Sequence, residues 1–331
     1  MSMHMKHLFL LVFAIATSGC AGLNLELHNA SVQKPSNVAL YFSVETSDGL
    51  PVPGLKAESF RIYEDDRLIS PFESKQTILN PEVAVVHYIV LLLDLSGSIT
   101  ESGSLPALIS AAGAFAERVT KSHQMAVHGF DGGAKLIPVV NFTSRPKVIL
   151  NGLKRLSHHK TKDPSTNLNG AVVEATKVLG RQMAKSTLPL RFGTLVVFTD
   201  GTDRAHRVPE DAMHQTLDEA DVNVFVIGLG GEIDEQQLSD LGRTGFVKTA
   251  ELSSVGEAFD QVAAQIEAAG HKFYLLSYCS PSRAGTHLLK IEAVTSELSG
   301  SLEHAFNANG FGPGCDPSRT PRFSVGRIRI K

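Results

Sequence analysis

Three uninterrupted apolar runs limit what this chain can fold into. His87–Leu93 (HYIVLLL), 192–199 (FGTLVVFT) and 222–229 (VNVFVIGL) each stay apolar for the length of a strand. A strand that faces water on one side alternates, whereas one buried on both faces does not. Amphipathic segments separate these runs. Within 105–119, Leu108, Ala111, Ala112, Phe115 and Val119 fall at helical spacing. Residues 168–184, 234–242 and 254–269 are also read as helices. So is 209–220, which opens on Pro209 with Glu210 and Asp211 in its first turn. Two further strands, 124–130 and 135–140, bracket Asp131-Gly132-Gly133, a tight-turn signal. Buried strands alternating with amphipathic helices predict an α/β domain: a doubly wound, mainly parallel sheet covered on both faces.

The flanks read differently. Residues 38–44 (VALYFSV) form a strand, followed by a turn-rich run from Gly49 to Leu55 (GLPVPGL). Phe60, Ile62 and Tyr63 then precede Glu64-Asp65-Asp66, a hairpin signal. After Gly270 short strands return at 272–278, 286–294, 301–306 and 323–330. Each flank alone has too few strands to cover two faces, so the two are expected to pack as one small β-sandwich. The α/β domain would then be an insertion in it. The expected boundaries are 1–20 for a leader, 21–37 for a polar tether, 38–86 for the N-terminal β region, 87–269 for the α/β domain and 270–331 for the C-terminal β region.

The leader resembles a secretory signal peptide. Lys6 precedes the apolar run Leu8–Ala16, which is too short to span a membrane, and Thr17, Ser18, Gly19, Cys20 and Ala21 follow. The ending is similar to a bacterial lipobox, which implies lipidation of Cys20 and anchoring to the cell envelope. Thr17 stands where that motif usually has Leu, which leaves ordinary signal-peptidase cleavage open. Ala21 resembles the outer-membrane default rather than an inner-membrane retention signal. With Cys20 lipidated, Cys279 and Cys315 remain as a pair, and an oxidising compartment favours a disulfide between them.

The 331 residues carry a net charge of -3 with no block of like charges, so nothing supplies the basic face that nucleic-acid binding needs. Trp is absent and only 5 Tyr are present, which argues against an aromatic carbohydrate-binding surface.

The chemistry concentrates at Asp94-Leu95-Ser96-Gly97-Ser98, directly after the first buried strand. In open α/β sheets, ligands bind at the carboxyl ends of strands. The alternation lets Asp94, Ser96 and Ser98 point at one centre. Thr166 opens the helix at 168–184, and Asp200 ends the second buried strand. Two carboxylates and three hydroxyls are hard oxygen donors, suited to Mg²⁺, Mn²⁺ or Ca²⁺ rather than Zn²⁺.

This set, in this order, resembles the metal-ion-dependent adhesion site of von Willebrand factor A (VWA) domains, over about residues 87–269. The resemblance implies a Rossmann-like fold, direct coordination by Ser96, Ser98 and Thr166, and action of Asp94 and Asp200 largely through water. It also implies an open coordination position for an acidic residue of a protein partner, and a binding module rather than an enzyme. The flank segments Gly49–Leu55 and Phe60–Asp66 (FRIYEDD) are similar to strands preceding such domains in bacterial surface proteins.

Other signals are set aside. His158, His159 and Asp163 lack a further ligand at suitable spacing. Gly228–Gly231 lacks a phosphate-loop pattern. Gly97 between two serines is not a nucleophile elbow. A metal-dependent hydrolase would need a base near the open position, for which Asp203 and His206 are the neighbours. A structural spacer in an envelope assembly is the remaining alternative.

Overall fold

The computed structural model describes residues 22–79, 85–188, 190–220, 222–230, 233–323 and 326–327. The leader expected at 1–20, with Cys20, lies outside them. So do Ala21, Gly231 and most of the strand expected at 323–330.

The chain opens with strands β1 (Leu23–Gln33), β2 (Asn37–Thr46), β3 (Phe60–Glu64), β4 (Arg67–Leu68) and β5 (Thr77–Leu79). The α/β unit then runs β6 (Val85–Asp94), α1 (Gly97–Glu101), α2 (Leu105–Val119), β7 (Gln124–Phe130), β8 (Ile137–Thr143), α3 (Pro146–Arg155) and α4 (Leu168–Lys185). It continues through β9 (Leu190–Thr199), α5 (Glu210–Ala220), β10 (Asn223–Leu229), α6 (Glu235–Leu241), β11 (Gly245–Thr249) and α7 (Val255–Gly270). The chain closes with β12 (Phe273–Cys279), β13 (Thr286–Val294), β14 (Ser299–Asn307) and the short β15 (Gly326–Arg327).

The large sheet has the order β11-β10-β9-β6-β7-β8 and is parallel except for the β7–β8 pair. The apolar runs are continuous because successive residues serve two cores. Ile89, Leu91, Leu93, Val196 and Phe198 pack with α2, α3 and α7. Tyr88, Val90, Leu92, Leu195 and Val197 pack with α4, α5 and α6.

The flanks form two four-stranded sheets, β1-β2-β12-β5 and β14-β13-β3-β4. Strands of the C-terminal flank pair with strands of the N-terminal flank in both, so neither flank completes a sheet alone. Val38, Leu40, Phe42, Tyr274 and Leu276 point into the sandwich, toward Phe60, Ile62, Leu289 and Ile291. The alternate residues Ala39, Tyr41, Phe273 and Leu275 pack on Leu190 and Phe192 at the start of β9. The sandwich therefore sits against the end of the α/β sheet opposite the strand termini at Asp94 and Thr199. The Cys279–Cys315 disulfide is formed and ties the loop after β14 to β12.

Some elements depart from the sequence expectations. Most of the stretch expected as a tether is β1, because Leu23, Leu25 and Leu27 alternate and pack against the sandwich core. The connection at Asp131-Gly132-Gly133 is longer than the tight turn expected there: β8 begins only at Ile137, and Gly132 N donates to Asp163 O at 3.1 Å. β15 pairs with β9 rather than within the sandwich. β9 begins at Leu190, but β10 joins it only from Thr194, which leaves the first residues of β9 open on that side. Among the described residues, no helix is long and apolar enough to cross a membrane.

Candidate metal centre

Asp94 ends β6 and is fully buried. Its Oδ1 accepts from Ser96 N at 2.9 Å and its Oδ2 from the Thr199 hydroxyl at 2.7 Å. Both donors are neutral. Burial pushes the Asp94 carboxyl up to about 6, against the pull of the Ser96 and Thr199 hydrogen bonds, and the charge of Asp200 raises it further. A carboxylate oxygen can face more than one donor, so this buried charge can also support a nearby cation.

Above Asp94 the hydroxyls form a chain. Ser96 Oγ lies 3.2 Å from Ser98 Oγ, and Ser98 donates to Asp200 Oδ1 at 2.9 Å. Ser96 is buried and Ser98 is exposed, so the cluster opens outward at Ser98. Three loops hold this arrangement. Leu95 N donates to Phe130 O at 2.7 Å, and the Thr161 hydroxyl donates to Leu95 O at 2.6 Å. Gly97 N donates to Pro164 O at 3.0 Å, and a Cβ on Gly97 would meet Pro164 Cβ at 2.9 Å, so this approach needs glycine. Thr166 is buried just before α4, and its carbonyl accepts from Arg204 N and Ala205 N at 2.9 and 3.0 Å. The 163–166 segment is thus tied to the loop after β6 on one side and to the loop after β9 on the other.

Of the residues that support these loops, Asp131 and Asn167 carry no site signal in the sequence, whereas Asp163 is weighed there as a metal ligand and Asp203 and His206 as a hydrolytic base. Asp131 is buried; its Oδ1 accepts from Gly133 N at 2.8 Å and its carbonyl from Asn167 N at 3.1 Å. Asn167 in turn donates to Gly133 O at 2.8 Å. Asp203 caps α4 from another loop: Oδ1 accepts from Asn169 N at 3.1 Å and Oδ2 from His206 N at 2.9 Å. Only local signals, short Asp-Gly and Asp-x-x-His stretches, mark these positions, and such stretches are ordinary turn chemistry. His206 is 83% exposed with Nδ1 3.7 Å from Asp203. Asp163 accepts from Ser165 N and from Arg207, which makes it part of the loop scaffold.

Among the described residues, no group of three or more His, Cys, Asp and Glu side chains is gathered for a metal. A cation at Asp94 would therefore be held by hydroxyls and two carboxylates. Such a donor set fits a hard divalent ion, with the buried Asp94 charge below and the Ser98 side open.

A doubly wound α/β domain with a hydroxyl-and-carboxylate cluster on three loops at its strand ends defines a recognisable class. A sequence model of the von Willebrand factor type A domain matches residues 89–267, more than half of the chain. The chain belongs to that family. Solved structures similar to it include proximal thread matrix protein 1 from the mussel byssus, 17% identical, with TM-score 0.47 over 55% of this chain and 48% of that one. This chain spans about half the length of that protein. A von Willebrand factor type A protein from Catenulispora acidiphila is 10% identical, with TM-score 0.48 over 88% of this chain and 75% of that one. The manganese-loaded TRAP protein of Plasmodium vivax is 12% identical, with TM-score 0.47 over 72% of this chain and 98% of that one. No curated protein matches the chain.

Proposed function

We propose that this VWA domain binds a divalent cation, Mg²⁺ or alternatively Mn²⁺ or Ca²⁺, and uses it to hold an acidic residue of a protein partner. Ser96, Ser98 and Thr166 would coordinate directly, with Asp94 and Asp200 acting through water and charge. The observation that carries this reading is the Ser96–Ser98–Asp200 oxygen chain over the fully buried Asp94. A partner carboxylate approaching from the exposed Ser98 side would complete the coordination. Binding rather than hydrolysis is favoured because Asp203, the neighbouring acid, is buried and serves the loop scaffold: Oδ1 accepts from Asn169 N at the start of α4 and Oδ2 from His206 N in its own loop.

The same proposal places the protein in the cell envelope, exported and anchored through a lipid on Cys20, as an outer-membrane lipoprotein. The Cys279–Cys315 disulfide supports export.

Thermal unfolding in EDTA and then in Mg²⁺ or Mn²⁺ tests the site. A ligand that binds only the folded state stabilises it by about 2.7 kcal/mol at a hundredfold excess over Kd. The midpoint is expected to rise with metal in the native chain and not in Ser98→Ala. No rise of the native midpoint between EDTA and millimolar metal would leave the domain as a spacer.

A further inference from the structure

We propose that the edge of the sandwich carrying Gly22 and Leu50 rests on a lipid bilayer, with the Leu50 side chain seated in its interface. This rests on the proposal that Cys20 carries the lipid. Cys20 and Gly22 are two residues apart, and two residues span at most about 7 Å. Gly22 already belongs to the fold, because its carbonyl accepts from Ser47 N at 3.1 Å. Leu23 pairs with Thr46 and is buried. At most about 7 Å of chain therefore separates a lipid on Cys20 from the sandwich, which brings the bilayer close to the 46–50 turn.

The residue displayed there is Leu50, 63% exposed. One exposed leucine is ordinary in itself; its place beside the anchor gives it meaning. Its turn is well fixed. Gly49 N donates to Thr46 O at 2.9 Å, Thr46 N to Leu50 O at 2.9 Å, and Leu50 N to Thr46 Oγ1 at 3.2 Å. Gly49 has a φ of 78°, which glycine adopts freely. Ser47, whose N–H holds Gly22, lies in the same turn. An apolar side chain held outward next to a lipid anchor adds buried apolar area to that attachment.

The orientation has a consequence for the site. Residues at the start of β9 rest on the sandwich, and Asp94 lies at the opposite end of the ten-residue β6, about 30 Å along the sheet. The metal loops are then presented on the side of the α/β domain away from the sandwich.

The chain contains no Trp, so single-Trp variants report position cleanly. Leu50→Trp places the reporter at the proposed contact. Phe72→Trp is the control: Phe72 is 93% exposed in the loop bonded to Cys279, at the other end of the β2–β12 pair. The full chain, expressed with its own leader, is reconstituted into phosphatidylethanolamine–phosphatidylglycerol vesicles carrying shallow brominated acyl chains. The mass of the N-terminal peptide reads lipidation separately. Trp favours the membrane interface, so Leu50→Trp is expected to lose about half its emission or more, while Phe72→Trp keeps its own. A lipidated, vesicle-bound chain with neither Trp quenched, or with both quenched, overturns the orientation while leaving the anchor intact. Concentration-dependent shielding of the Leu50→Trp emission without vesicles would assign the contact to a second copy and also overturn it. An unmodified Cys20 removes the anchor and the contact with it.

Discussion

Replacing Asp94 by Asn should stabilise the metal-free protein at neutral pH. Burial lifts the folded-state carboxyl to about 6, against 3.8 for an unperturbed Asp. The folded state therefore holds the proton more tightly than the unfolded chain. Between about pH 4 and 6 the folded state binds the extra proton, so stability falls as pH rises through that window. Above it, the ionised carboxylate costs about 3 kcal/mol, because proton affinity differs roughly a hundredfold between the two states and each tenfold is worth about 1.36 kcal/mol. Asn keeps the geometry. Its Oδ1 still accepts from Ser96 N, and its amide can donate to Thr199 Oγ1, whose own proton can turn to Gly201 O, 3.0 Å away. Urea unfolding followed by far-UV circular dichroism, in EDTA from pH 4 to 8, gives the difference between the two proteins at each pH. The carboxylates held below their usual range, Asp65, Glu267 and Asp316, are present in both and cancel. The Asn variant should be more stable than the native chain by up to about 3 kcal/mol at pH 7, the gap closing toward pH 4. Added Mg²⁺ should stabilise only the native chain. An Asn variant less stable at pH 7 in EDTA, or a gap that does not change with pH, would refute the reasoning.

Three further outcomes follow from the packing. Gly97→Ala places a Cβ against Pro164 and should displace the 163–166 segment, lowering Mn²⁺ affinity about tenfold in a titration while the fold remains. Reducing the Cys279–Cys315 disulfide opens a closure of 36 residues and should cost about 4 kcal/mol in urea unfolding, from the chain entropy regained by the unfolded state. Phe259→Ala removes a ring from α7 that meets Phe115 and Phe198 at 5.5 and 6.0 Å, and should cost about 3–5 kcal/mol by the same assay.

The parts of this fold legible in the sequence are those where one physical pattern dominates. Residues 87–93 must lie in a strand buried on both faces, and β6 does, feeding alternate side chains to two cores. Asp94, Ser96 and Ser98 follow that strand, so their approach to one another was readable from chain geometry. Ser98 and Asp200 are 102 residues apart, and only the adjacency of β6 and β9 brings them within 2.9 Å. What could not be read lies where meaning depends on a distant partner. Asp131 and Asp203 look like turn residues, and become supports only because α4 and its preceding loop fold against them. β1 alternates weakly and is half-covered, so its polar positions suggest a tether. A strand was readable at 323–330, but its described part, β15, pairs with β9 rather than within the sandwich, because β9 extends beyond β10. Residues 146–155 do carry a helical signal, Pro146 at the start and Ile149, Gly152 and Leu153 on one buried face, and α3 was there to be read.

Direct Mn²⁺ binding tests the central claim most closely. Electron paramagnetic resonance of the mature chain reads the free-ion signal as protein is added. That signal is expected to fall as one ion binds per chain, with competition by Mg²⁺ and no binding by Ser98→Ala or Asp200→Ala. A free Mn²⁺ signal undiminished by the native protein, or equally diminished by both variants, would contradict a cation site built on Asp94, Ser96, Ser98, Thr166 and Asp200.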